Sequence, residues 1–117
     1  MILKQHKSLT VEKWATFSFG KQILMIANEL NRAKNWVIKK DFTEALLCYE
    51  RAMELLYLTI ANTKKRPLLL ELCRFKEMLA ELYNTGKPGL NQNKLLYDTV
   101  LKLSPESYNL LNPKPNT

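Results

Sequence analysis

Histidine is nearly absent from this 117-residue chain, which argues against several kinds of catalytic site. The one histidine, His6, lies before the first predicted helix. Di-metal carboxylate sites in helical bundles need Glu-x-x-His pairs on facing helices, and nucleophile–histidine catalysis needs a histidine beside its nucleophile. The segment "NTGKPG" lacks the glycine spacing of a phosphate-binding loop. The sequence therefore predicts a non-enzymatic protein without a metal or a cofactor.

Cysteines and long apolar runs are also scarce. Cys48 and Cys73 belong to no CxxC pair, so we expect two free thiols that pack as small hydrophobic side chains. The chain has no run of about 18 uncharged apolar residues, which predicts no membrane span. Its start, "MILKQHKSLTVEKW", does not have the pattern of a secretory signal peptide. We therefore expect a cytoplasmic protein that does not contact membranes.

Only three glycines interrupt the chain, and between them the apolar residues recur every three or four positions. This spacing predicts helices and no strands. Ser8 or Thr10 is a suitable N-cap for a first helix, which we expect to run to Lys39. Gly20 falls inside that helix as a kink, a break between two helices or a point of close packing. We favour one long helix that is bent at this glycine.

Local signals predict the bounds of the next helices. Asp41, with Glu44 three positions later, is typical of a capping box, and the helix that it starts should end near Asn62. Pro67 fits the first turn of a third helix, which continues to Tyr83.

A shorter fourth helix covers residues 91–103, and "SPES" offers the start of a fifth at residues 105–112. Connections of two to six residues favour antiparallel neighbours. The fold class that we predict is therefore all-α, an antiparallel up-and-down bundle of four or five helices. It forms a single domain over residues 1–117, with flexible ends at about 1–7 and 112–117.

Three of the predicted helices carry glutamates and arginines at helical spacing. The residues that a polar network or an anion site would use are Asn28, Glu29, Arg32, Glu50, Glu54, Glu71 and Arg74. One interpretation is a set of solvated salt bridges, each worth about 0.2–0.5 kcal/mol. The other is an internal network across the bundle, or a pocket in which Arg32, Arg74 and a tyrosine hold a small anion. Arg32 favours the internal network because it borders the apolar stripe, whereas Glu29 and Lys34 are expected largely in water.

The net charge of +7 permits binding to nucleic acid or to an acidic partner. The basic residues are spread along the chain, and their small clusters at 39–40 and 64–66 lie at predicted helix ends. The helix dipole favours positive charge at a C-terminal end, so these clusters also have a structural explanation. Nucleic acid is therefore a weakly supported partner.

The segment from Trp14 to Tyr83 has a long first helix, the turn "KKDFTEA" and an aromatic-rich second helix, "CYERAMELLYLTIA". In this arrangement it resembles the helical bundles of the HEPN superfamily. The resemblance implies an antiparallel helical bundle. Catalytic members are RNases with an Arg-x(4–6)-His motif, and no histidine follows any arginine of this chain. The resemblance therefore implies a binding or partner role rather than RNase activity.

Wide apolar stripes on several helices can bury more surface than a single core uses. Our leading prediction is a non-enzymatic helical-bundle module that acts through protein–protein interaction or self-association, with a homodimer expected. The alternative is a nucleic-acid-associated accessory module, such as one half of a toxin–antitoxin or nucleotidyltransferase pair.

Overall fold

A computed structural model describes residues 8–105 and residue 109, and in this part of the chain all regular structure is helical. The helices are α1 (Val11–Trp14), α2 (Phe19–Ile38), α3 (Phe42–Asn62), α4 (Arg66–Asn84) and α5 (Leu90–Lys102). The all-α prediction is confirmed. The flexible ends predicted at 1–7 and 112–117, and most of the helix predicted at 105–112, lie outside the described residues.

Helices α2 to α5 form an up-and-down bundle, as predicted. α2 packs against α3 and α5, α3 against α4, and α4 against α5, so each of these four helices packs against two of the others. The connections of three to five residues between consecutive helices make them antiparallel. The core lies along the axis of the bundle, where Tyr49, Phe75, Leu30 and Leu56 are fully buried.

The bounds of α3 and α4 follow the predicted local signals. A carboxylate oxygen of Asp41 accepts a hydrogen bond from the backbone N–H of Glu44 at 3.2 Å, which satisfies one of the free donors at the start of α3. Pro67 lies in the first turn of α4, where a missing N–H costs no helical hydrogen bond. α4 ends two residues before Gly86, whose φ of +73° reverses the chain toward α5.

The prediction of one long first helix is wrong, because the chain leaves the helical path between α1 and α2. Ser18 starts α2 as its N-cap, and its hydroxyl accepts from the backbone N–H of Lys21 at 3.2 Å. The Gln22 side chain donates to the carbonyls of Trp14 and Phe17 at 3.0 and 3.1 Å. These carbonyls lie at and just after the end of α1. The Gln22 side chain provides them with hydrogen bonds where the helix does not continue.

Gly20 is not the point of the break. It is buried in the first turn of α2, after the chain has already turned. α1 instead packs against α3, where the indole N–H of Trp14 donates to the hydroxyl of Thr59 at 2.9 Å. Both groups are fully buried, so this hydrogen bond fixes α1 across one end of the bundle.

Candidate functional site

A charged cluster lies between α2 and α3, centred on Glu29. The Glu29 side chain is only 8% exposed. One carboxylate oxygen accepts from Arg51 Nε at 2.9 Å, and the other accepts from Arg32 Nη1 at 3.0 Å. Pairing of both oxygens offsets the cost of removing the carboxylate from water. The prediction that Glu29 lies in water is therefore wrong.

Arg51 is the residue that holds this cluster together. Its guanidinium also donates from Nη2 to Cys48 Sγ at 3.1 Å, so one side chain joins the carboxylate to a buried thiol. Burial acts to lower the pKa of Arg51, but the hydrogen bond and the charge of Glu29 outweigh it and the pKa is raised. Arg51 therefore stays charged throughout the accessible pH range.

Cys48 does not have the environment of a catalytic nucleophile. Burial raises the pKa of its thiol, and the nearby charge of Arg51 only partly opposes that effect. The side chain is fully buried, so no substrate reaches the sulfur without local opening of the bundle. The structure thus supports the expected packing role for Cys48, whereas Cys73 is only half-buried.

A second buried polar cluster joins three helices through Asn93 of α5. The Tyr49 hydroxyl, on α3, donates to Asn93 Oδ1, and Asn93 Nδ2 donates to the Leu30 carbonyl of α2 at 3.0 Å. Burial, with a smaller contribution from Cys48, raises the pKa of Tyr49. Asn93 precedes Leu96 and Val100 at helical spacing, and this pattern would have placed it on the buried face.

The remaining predicted site residues are not assembled into one site. Asn28 is exposed on α2, and Glu54 is buried on α3. Glu50 is half-buried and accepts from the Tyr83 hydroxyl of α4 at 3.3 Å. Of the seven predicted residues, Glu29 and Arg32 form an ion pair within the cluster centred on Glu29.

Glu71 and Arg74 form a separate pair on the surface of α4. Their side chains are 3.0 Å apart and remain 52% and 73% exposed. This pair therefore fits the solvated interpretation, and the suggested anion pocket between Arg32 and Arg74 is not formed.

Arg51 was missing from the predicted set because sequence spacing could not reveal that it faces Glu29 from another helix.

An apolar groove opens on the surface between α4 and α5, with a volume of about 260 Å³. Leu82 and Leu96 form its buried floor. Met78 and Leu95 line it from the two helices and remain 36% and 59% exposed. Among the described residues of its lining, Glu81 is the charged one. In this part of the chain the groove is thus a largely apolar depression with one carboxylate.

A second depression, of about 180 Å³, lies between α2 and α5 and has a different chemistry. Lys34, Lys94, Tyr97 and Asp98 line it, together with the buried Asn93. Within the described residues, no carboxylate lies within ion-pair distance of either lysine. Two lysines without an ion-pair partner among the described residues, beside an aromatic ring and one carboxylate, can attract an anion such as a phosphate.

Residues 8–105 and residue 109 contain neither a metal-binding cluster nor a membrane-spanning helix. No group of three or more histidine, cysteine, aspartate or glutamate side chains in this region could hold a metal ion. No helix formed by these residues has the length and apolar character needed to cross a membrane.

Comparison with known proteins gives no relative for this chain: no family model, no curated protein and no solved structure matches it. The resemblance to the HEPN superfamily therefore stays a prediction from the sequence. Any role proposed for the candidate sites therefore has to be argued from their geometry.

Proposed function

We propose that this protein is a non-enzymatic, cytoplasmic interaction module that contacts a protein partner through the α4–α5 groove. The observation that carries the proposal is the exposure of Leu95 and Met78 beside an apolar floor. A partner side chain that enters the groove removes both residues from water. Complete burial of one such side chain is worth about 1.5–3 kcal/mol.

The arrangement of the exposed residues distinguishes the groove from ordinary surface. Single exposed hydrophobic residues are common, and Ile38, 59% exposed at the end of α2, is of that kind. Leu95 and Met78 instead belong to different helices and line the same depression. Exposed apolar residues that line one concave surface are typical of interaction sites.

Interaction through the groove can be tested with the full chain as bait. A differently tagged second copy and an extract of the source cells provide the candidate partners. We expect Leu95→Glu to abolish retention of the partner, because the new carboxylate would have to be buried in an apolar contact. Ile38→Glu is the matched control, since it makes the same change at the same exposure elsewhere. Unchanged retention by Leu95→Glu would refute a role of the groove.

A second candidate function is nucleic-acid binding, and the separation of charge in the bundle favours it. α2 carries three basic residues and one acidic residue, whereas α3 carries one basic and three acidic residues. The acidic residue of α2, Glu29, is already neutralised by pairing. The lysines and Tyr97 of the α2–α5 depression offer contacts for a phosphate and for base stacking. The HEPN resemblance supports the same role.

Fluorescence anisotropy with a labelled single-stranded RNA tests this second function. At about 150 mM salt we expect Lys34→Glu with Lys94→Glu to weaken binding at least about tenfold, because phosphate contacts dominate such affinities. Lys65→Glu with Lys76→Glu reverses two exposed charges elsewhere and is the control. Equal affinity of the two double variants, or no binding by the wild type, would refute a nucleic-acid role of this depression.

A further inference from the structure

We infer that the partner of the α4–α5 groove is the same face of a second copy, related by a two-fold axis with the two α4 helices antiparallel. This inference names the partner at the site of the proposed function and depends on it. It is carried by two properties of the face: its shape, and the order of charges along α4.

The shape of the face is reciprocal. Each copy carries a protruding leucine, Leu95, and beside it a groove with Leu82 and Leu96 as its floor. In a two-fold interface the same patch is used by both copies, so each must present a projection and a matching depression. Leu95 of one copy can therefore enter the groove of the other, while its own groove receives the second Leu95.

The charges along α4 are also self-complementary. Arg74 precedes Met78 by four positions and Glu81 follows it by three, so both flank Met78 on one side of the helix. Around a two-fold axis between positions 77 and 78, antiparallel helices bring position 74 of one copy opposite position 81 of the other. The Arg74–Glu81 pair then forms twice across the interface. Opposite charges in this order favour this register over a parallel one.

Both side chains are free to make this contact. Arg74 is 73% exposed, and its present partner Glu71 belongs to a surface pair of the kind that contributes little. Glu81 is exposed, and no described residue forms an ion pair with it. Dimerisation can therefore exchange the Arg74–Glu71 pair for Arg74–Glu81 without the loss of a buried interaction.

Exchange of the two charges tests the register directly. Sedimentation velocity of the full chain over about 5–500 µM should show the wild type moving toward twice the 13.7 kDa monomer mass as concentration rises. Arg74→Glu and Glu81→Arg should each raise the dissociation constant at least about tenfold, because each places two pairs of like charges in contact. The double variant should return to within about threefold of the wild type.

Lys76→Glu is the matched control, because it reverses an exposed charge of the same helix away from the groove. It should leave the dissociation constant unchanged. All substituted positions are exposed, and circular dichroism should report the wild-type helix content for each variant. Single variants that dimerise like the wild type, or a double variant that stays monomeric, would overturn the proposed register.

The same measurements separate this inference from the proposed function. A monomeric wild type that nevertheless retains another protein, and loses it on Leu95→Glu, would overturn the second copy but keep the interaction module. A monomeric wild type that retains no protein through Leu95 would overturn both. A photo-crosslinker at position 95 adds a direct readout: an adduct at dimer mass supports the second copy, and an adduct within one chain refutes it.

Discussion

The α2–α3 side and the α4–α5 side of the bundle differ in which groups they bury and which they expose. The contact between α2 and α3 buries a carboxylate and satisfies it with Arg51 and Arg32. The contact between α4 and α5 leaves Met78 and Leu95 exposed around an apolar groove. The first side has its strongest polar group already paired, which suits a structural role. The second side exposes apolar surface that another molecule can bury, and for this reason the proposed interaction is assigned to it.

The helices of the two sides also differ in length. α2 and α3 have 20 and 21 residues and run side by side, whereas α5 has only 13 residues beside the 19 of α4. At 1.5 Å per residue, α5 is about 9 Å shorter than α4. The short helix covers its neighbour incompletely. Exposure of Leu70, at 50% in the N-terminal half of α4, agrees with this.

The largest contrast should appear when one arginine is removed from each side. We expect Arg51→Ala to lower the free energy of unfolding by about 2–3 kcal/mol, because it leaves the buried carboxylate of Glu29 without one of its two arginine partners. Arg74→Ala removes an exposed partner and should cost less than about 0.5 kcal/mol. Urea denaturation monitored by circular dichroism measures both values. Equal effects would contradict the structural role of the charged cluster.

Alkaline pH should destabilise the bundle through Cys48 and Tyr49, two buried residues of α3. The pKa values of Cys48 and Tyr49 are raised in the folded protein from 9.0 and 10.0, so above about pH 9 the folded state holds more protons than the unfolded state. Their contribution is complete below pH 9 and is lost as the pH rises. Each unit of pKa difference is worth about 1.4 kcal/mol.

The variant Cys48→Ala with Tyr49→Phe checks this assignment. Urea unfolding at about pH 8 and about pH 10.5 should show a smaller loss of stability for the double variant than for the wild type. Arg74→Ala leaves both buried groups in place and should keep the wild-type pH dependence. A double variant with the full wild-type loss would show that other groups control the alkaline transition.

The smallest effect on the free energy of unfolding is expected for a substitution at the groove. Leu95→Glu should change the unfolding free energy of the dilute protein by less than about 0.5 kcal/mol, because the side chain is 59% exposed. The two effects of Leu95→Glu differ strongly, because the substitution should abolish association while it leaves the stability of the single chain nearly unchanged. A stability loss above about 1 kcal/mol would mean that Leu95 supports the bundle and is not available to a partner.

The sequence predicted most of the bundle because its signals are local. Asp41, Pro67 and the glycines after α4 act through caps and turns, and the structure confirms the bounds that they indicate. The sequence left a break near Gly20 open but favoured one long helix, because it could not reveal that the Gln22 side chain reaches back eight residues to a carbonyl. A contact of that range leaves no trace in helical periodicity.

The candidate sites were less predictable than the fold. The sequence identified Glu29 and Arg32 as a pair but placed Glu29 in water, because the residue that buries it comes from another helix 22 positions later. The α4–α5 groove was not identified, since the exposure of Leu95 depends on how α5 packs beside α4. Both errors have one origin: the burial of a side chain depends on its neighbours in space.

By itself, the amino-acid sequence determined the helical class and the bounds of α3 and α4. Caps, breakers and apolar periodicity act within a few residues, so they can be seen in one chain. The tertiary structure alone decided that Glu29 is buried and that Arg74 is exposed, although both belong to similar Glu-x-x-Arg segments. The physical reason is that helix packing gave Glu29 a second arginine from α3 and left the Glu71–Arg74 pair in water.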